Sequence, residues 1–200
     1  MFQLLSNTGN MKVQETNTNQ NPIRKRSTRE IYWLHKEKKS PLSNSVIVWA
    51  HNIRSLHNVG AIFRNCDAFG VAELWLSGFT PRPPRPEISK AAIGAEETVK
   101  WRSIDRIDEG IAELRLGNVE LIALEQTDQS TEIGQYQPET NPVCIVLGNE
   151  VTGVDDILLQ HCHRALEIPQ FGTKHSLNVS VASGIALYAL LMARQKTQSS

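Results

Sequence analysis

Five short, mainly apolar runs punctuate this chain: Val46 to Ala50, Ala72 to Leu76, Leu121 to Leu124, Val143 to Leu147 and Ala165 to Ile168. Between them the apolar residues recur at helical spacing. This alternation limits the fold more than any other feature. A short run with no polar alternation is a strand buried on both faces, and parallel strands need helical crossovers to join them. Val59, Ile62, Phe63 and Cys66 predict a helix over Asn58 to Phe69, with Asn58 read as its cap residue and Gly70 at its C-terminal cap. Ser103 to Leu116 reads as an amphipathic helix with Ile104, Ile107, Ile111 and Leu114 on one side. Ile88 to Glu97 and Asp155 to His161 read as short helices, and Asp128 to Pro142 as a polar surface crossing. The last helix is expected to bury Val181, Ile185, Tyr188 and Met192, with Ser176 as N-cap and Asn178 in its first turn. The expected class is α/β, a parallel sheet flanked by helices.

The chain has 200 residues, 40% of them hydrophobic, which suffices for one α/β domain with a short appendage. Three cysteines, none in a CxxC pair, argue against a disulfide framework. His161, Cys162 and His163 are adjacent and cannot all point at one ion, so no metal is expected. The longest apolar run, Ile185 to Ala193, is too short to span a bilayer, and the polar N-terminus shows no secretory signal. The expectation is a cytoplasmic protein with no membrane partner.

Net charge is zero but unevenly spread. Asn21 to Ser45 carries seven Lys/Arg against two Glu, a net +5, and residues 46–200 carry a net −5. Met1 to Pro22 is polar and reads as disordered. From Ile23 to Lys39, Arg24, Lys25, Arg26 and Arg29 precede or interleave with Ile31, Tyr32, Trp33 and Leu34. That mixture suits either a short helix with one apolar face or an RNA contact through cations and rings. Pro41 to Ser45 reads as a linker. The expected division is therefore an arm, 1–45, and a domain, 46–200. The arm is either a polyanion-binding appendage or a solubilising tail.

In parallel α/β sheets ligands bind beyond the carboxyl ends of the strands. Three loops at such ends are chemically rich: Asn52 to Asn58, Gly148 to Gly153 and Pro169 to Asn178. Taken singly, Asn58 and Ser176 are capping residue types, Arg64 a surface arginine and LGNE a glycine turn. Together, HNVGAIFRNCDAFG, LGNEVTG and IPQFGTKHSLNVSVASGIALY resemble, in order and spacing, the three motifs of the SpoU/TrmH group of RNA ribose methyltransferases, in the SPOUT superfamily. The resemblance covers Val46 to Arg194. No GxGxxG follows the first strand, so a nicotinamide site has no support.

The resemblance implies a deep trefoil knot near the C-terminus whose cleft binds S-adenosylmethionine (AdoMet). Backbone groups at Gly148, Ile168 and Leu177, with Leu124 at the end of the preceding strand, would hold it. It implies a homodimer acting on the ribose 2′-hydroxyl of a transfer or ribosomal RNA nucleotide. Arg64 takes the place of the group's proposed general base. A free guanidinium is a very weak base, so Arg64 would need an RNA phosphate to assist it or would act as an electrostatic clamp. Asn58, Glu150, Ser176 and Asn178 match positions that orient arginine, substrate and cofactor. Substrate choice would rest on the basic arm and on Arg82 and Arg85 in the proline-rich loop Phe79 to Pro86. Two alternatives remain open: a non-catalytic RNA-binding protein of the same fold, and a methyltransferase acting on a base.

Overall fold

A computed structural model describes residues 23–36, 38–138 and 142–199, with side chains described as far as Lys196. The stretch Met1 to Pro22 lies outside the described residues. The chain separates into two units, 1–38 and 39–200.

The first unit contains helix α1, Thr28–Lys36. A reciprocal cap starts it. The Glu30 N–H donates to Ser27 Oγ, and the Ser27 N–H donates to Glu30 Oε2 at 2.8 Å. The Arg24 guanidinium pairs with Glu30 at 2.7 Å. That bond first, then those from Ser27, holds the Glu30 carboxyl down at about 2. Lys36 Nζ lies 4.6 Å from the Trp33 ring centre.

The second unit is a parallel sheet of β1 (Val46–His51), β2 (Glu73–Ser77), β3 (Trp101–Ile104), β4 (Glu120–Leu124), β5 (Thr131–Glu132), β6 (Val143–Leu147) and β7 (Arg164–Glu167). Their order across the sheet is β3-β2-β1-β6-β4-β7-β5. All five expected runs form strands. β7 enters last and sits between β4 and β5, which both precede it in the chain. Helices α2 (Leu56–Phe69), α3 (Pro86–Ala92), α4 (Ala95–Thr98), α5 (Ile107–Leu116), α6 (Asp156–Leu159) and α7 (Val179–Ser199) connect and cover it.

Strand alternation splits the core in two. Val48, Ala50, Val143, Ile145 and Leu147 pack with Val59, Ile62 and Phe63 of α2 and Ala186, Leu187 and Leu190 of α7. Trp49, Trp75, Cys144 and Val146 face the other way, onto Ile111 and Leu114 of α5 and Leu158 of α6. Trp49 and Trp75 are register partners with ring centres 5.4 Å apart. Each fully buried side chain of this size contributes on the order of 1.5–3 kcal/mol.

Five readings need correction. Trp101–Ile104 is an edge strand, and the helix expected from Ser103 begins only at Ile107. Pairing with β2 overrides the helical spacing of Ile104. The segment Asp128 to Pro142 is less superficial than expected, because it contributes β5 and buries Ile133 and Tyr136. Pro41 to Ser45 is no free linker. Leu42 is fully buried in the core, and Ser40 Oγ donates to the Phe69 carbonyl. Helix α2 starts at Leu56, capped by Ser55 rather than Asn58, and ends as expected at a left-handed Gly70. Finally, α7 buries Ser183, Ala186, Leu187 and Leu190, while Val181, Ile185 and Tyr188 stay 51%, 38% and 56% exposed.

Candidate active site

Strands β6, β4 and β7 end side by side, and the segments leaving them enclose a cleft of about 280 Å³. That lies near the lower end of the range for small-molecule sites. Leu124, Gly148, Ile168 and Leu177, the four residues expected to hold a cofactor, all line it. Glu150 and Ser176 line it as well.

The loop after β6 is a tight return. Asn149 and Gly153 exchange two backbone hydrogen bonds of 2.8 and 3.0 Å. A Cβ on Gly148 would sit 2.2 Å from the Gly153 carbonyl carbon and 2.3 Å from Val154 N, so only glycine fits there. Asn149 Oδ1 accepts from the N–H groups of Val151 and Thr152, and its Nδ2 donates 2.7 Å to the Asn52 carbonyl. The loop is thereby pinned to the end of β1, with Glu150 at its tip.

Glu150 links all three motifs. Its carboxylate accepts from the N–H groups of Arg54 (2.9 Å) and Ser55 (3.1 Å) and from Asn58 Nδ2 (2.8 Å). Asn58 Oδ1 in turn accepts from Asn178 Nδ2 at 3.0 Å. Burial pushes the Glu150 carboxyl up, but these donors outweigh it and hold the group below its ordinary value. The N–H groups of Arg54 and Ser55, just before α2, therefore already have an anion, this carboxylate. Asn58 is no cap; it is the buried bridge between Glu150 and Asn178.

Asn178, not Ser176, caps α7. Its Oδ1 accepts from the Ser180 N–H at 2.8 Å and the Ser180 hydroxyl at 2.6 Å. Ser176 lies three residues before the first residue of the helix, exposed at the cleft. Helix α2 is tied to α7 again by Asn65, whose Nδ2 donates to the Ser180 carbonyl (2.7 Å) and Ser183 Oγ (2.8 Å). Arg64, beside Asn65, is exposed and makes no hydrogen bond or ion pair among the described residues. The structure thus brings Asn58, Glu150 and Asn178 together and leaves Arg64 apart from that chain.

Among the residues expected to meet RNA, Lys25, Arg26, Arg29 and Arg85 are exposed, whereas Arg24 pairs with Glu30 and Arg82 with Asp105 at 3.3 Å. Two residues of the site escaped the sequence reading, Glu125 and Gln126, while Asn149 was covered only as part of LGNEVTG. The only signal of Glu125 and Gln126 is position, directly after the carboxyl end of β4. Among the described residues no helix is long and apolar enough to cross a membrane. Likewise, no group of three or more His, Cys, Asp or Glu side chains is placed to hold a metal ion.

Comparison with known proteins agrees with this geometry. The model of the SpoU rRNA Methylase family matches residues 45–188. The chain is 30% identical over 154 residues to a tRNA (guanosine(18)-2′-O)-methyltransferase of Aquifex aeolicus, covering 76% of this chain and 71% of that enzyme. It is 33% identical over 132 residues to a 23S rRNA (guanosine-2′-O-)-methyltransferase of Neisseria meningitidis, covering 66% and 52%. The chain thus spans about half to seventy per cent of the length of these curated relatives. Its fold is similar to the crystal structure of an AdoMet-bound rRNA methyltransferase from Sinorhizobium meliloti, with a TM-score of 0.71 at 26% identity over 79% of this chain and 59% of that one.

Proposed function

The chain belongs to the SpoU rRNA methylase family, and on that premise we propose that it transfers a methyl group from AdoMet to the ribose 2′-hydroxyl of a transfer or ribosomal RNA nucleotide. The observation that carries this reading is the hydrogen-bonded chain Glu150–Asn58–Asn178, which joins the three motifs and of which Glu150 lines the cleft.

The cleft suits the cofactor. Leu124, Ile168 and Leu177 offer apolar surface to a purine ring, and Glu125, Glu150 and Glu167 set an acidic border beside it. Carboxylates favour ribose hydroxyls and a positive sulfonium over an anionic ligand. When bound, AdoMet supplies an electrophilic methyl group, so the protein's own task is alignment and charge.

Glu150 fixes the start of α2 and Asn58 with it. Arg64 stands six residues further along the same rigid helix, and its guanidinium makes no hydrogen bond or ion pair among the described residues. It is free to meet an RNA phosphate and to stabilise the oxyanion that develops as the 2′-hydroxyl loses its proton. Ser176, exposed at the cleft, is placed to orient the nucleotide or the cofactor. Lys25, Arg26, Arg29 and Arg85 supply phosphate contacts.

The active form is a homodimer. Helix α7 is apolar on more than the face it buries, and Val181, Ile185 and Tyr188 form a stripe along its open side, beyond Leu177. A second copy covering that stripe accounts for an apolar surface that a lone chain leaves in water. Calorimetry of the purified protein with AdoMet, without RNA, tests the cofactor assignment. Binding is expected. No heat with AdoMet or its demethylated product at millimolar ligand would overturn it.

A further inference from the structure

The segment that follows β4 touches every wall of the cleft. Glu125 Oε2 accepts from the Val154 N–H at 2.9 Å, closing the loop after β6. The fit is tight, since a Cβ on Gly153, whose φ is +73°, would lie 2.2 Å from that oxygen. Gln126 Nε2 donates to the His175 carbonyl at 2.8 Å, in the loop after β7. Four residues on, Ser130 Oγ donates to Glu167 Oε2 at 2.6 Å and accepts from the Thr127 N–H at 3.2 Å, which ties the same segment to the end of β7 itself.

The loop after β7 has little else to hold it. Residues 171–178 are exposed, and no regular element begins before Val179. At its far end Asn178 secures the loop to α7 and, through Asn58, to Glu150. At its middle the Gln126–His175 bond is the side-chain tie among the described residues. His175, Ser176 and Leu177 together form one lip of the cleft.

From this geometry we propose that Gln126 and Glu125 are positioning residues for AdoMet. They form a latch on which the loops after β6 and β7 both close, so that the backbone groups lining the cleft are set before the cofactor arrives. The proposal rests on the cofactor reading above and extends it to residues outside the three motifs. A preformed site binds more tightly because the loop's ordering cost does not fall on the ligand. The donor amide of Gln126 is what matters, because a carbonyl can only accept. At Glu125 both oxygens accept, Oε2 from the Val154 N–H and Oε1 from the Gln126 N–H at 2.9 Å, so glutamine can serve only one of the two.

Gln126→Ala and Gln126→Glu should each weaken AdoMet binding about three- to tenfold by calorimetry, the range expected when one hydrogen bond is lost. Turnover at saturating AdoMet should stay near that of the unaltered protein, so the effect falls on KM. Amide hydrogen exchange across residues 170–178 should quicken in both variants without any ligand, while the global unfolding midpoint stays put. Glu125→Gln and Glu125→Ala should both bind AdoMet more weakly, Glu125→Ala the more so. If the unaltered protein binds AdoMet and both Gln126 variants bind it equally well with unchanged exchange, the latch is wrong. If the unaltered protein itself binds no AdoMet, the cofactor reading falls and the latch falls with it. Should Glu125→Ala fail to fold, the Gln126 pair and Glu125→Gln still decide the matter.

Discussion

Glu150 is a carboxylate with three donors already in place, and this decides what replacing it should do. Glutamine keeps the length but offers one acceptor oxygen, and its amide would face an N–H of Arg54 or Ser55. Leaving such a group unsatisfied costs about 1–3 kcal/mol, so Glu150→Gln should lose stability of that order in urea unfolding near neutral pH. The sign of the pH dependence follows from the direction of its shift. The folded carboxyl titrates below its ordinary 4.5, so its contribution is complete above that pH and is lost as pH falls through the lower folded value. The gap between the two proteins should therefore narrow below about pH 4.5 and be constant above it. A gap that does not change with pH would show that the three donors do not favour the ionised form. At this scale the sequence was informative where a motif named the residue: Asn58, Glu150 and Asn178 do converge. Their partners were not legible. Spacing alone made Asn58 a cap, whereas Ser55 caps and Asn58 bridges. Glu125 and Gln126 look like ordinary polar residues after a strand until β7 is seen to insert beside β4.

Helix α7 shows why periodicity misplaced a buried face. Apolar residues occur on two sides of it, Val181, Ile185 and Tyr188 on one, Ala186, Leu187 and Leu190 on the other. A pattern that is apolar on both sides cannot say which side meets the sheet. The small residues do so here: Ser183 and Ala186 allow close approach to α2, where Asn65 reaches Ser183. The bulkier stripe stays outside, where the Phe69 ring centre lies 6.5 Å from that of Tyr188. Placing a charge in the stripe gives a sharp test. Tyr188→Arg should convert a dimer to a monomer in sedimentation velocity while leaving the unfolding midpoint of the monomer nearly unchanged, because Tyr188 is outside the core. An unaltered sedimentation coefficient would remove α7 from the dimer interface. Strands β3 and β5 escaped the sequence reading for a different reason. They are short edge strands, made by their neighbours rather than by a pattern of their own.

Across the whole molecule, charge and chemistry are housed apart. The net-acidic second unit contains the cleft, and the first unit carries the exposed cations Lys25, Arg26 and Arg29. Lysine and arginine contacts to phosphate release counterions, with a salt slope of about −0.7 per phosphate on a single strand. Reversing those three in the full chain, as Lys25→Glu, Arg26→Glu and Arg29→Glu, should weaken RNA binding and flatten its salt slope by about 2. AdoMet affinity should not move. An unchanged slope would make the first unit a solubilising segment. The alternation of strands and helices made the parallel sheet legible, and the three motifs located the cleft. Strand order came from neither, because which strand inserts between which is set by packing across the sheet. Which atom receives the methyl group is decided by nucleoside mass spectrometry. The protein is incubated with isotope-labelled AdoMet and separated transfer and ribosomal RNA pools, and the RNA is digested to nucleosides. A labelled 2′-O-methylnucleoside is predicted from one pool, falling at least about a hundredfold with Arg64→Ala while AdoMet binding persists. Label on a base, or an undiminished 2′-O-methylnucleoside from the Arg64 variant, would contradict the account.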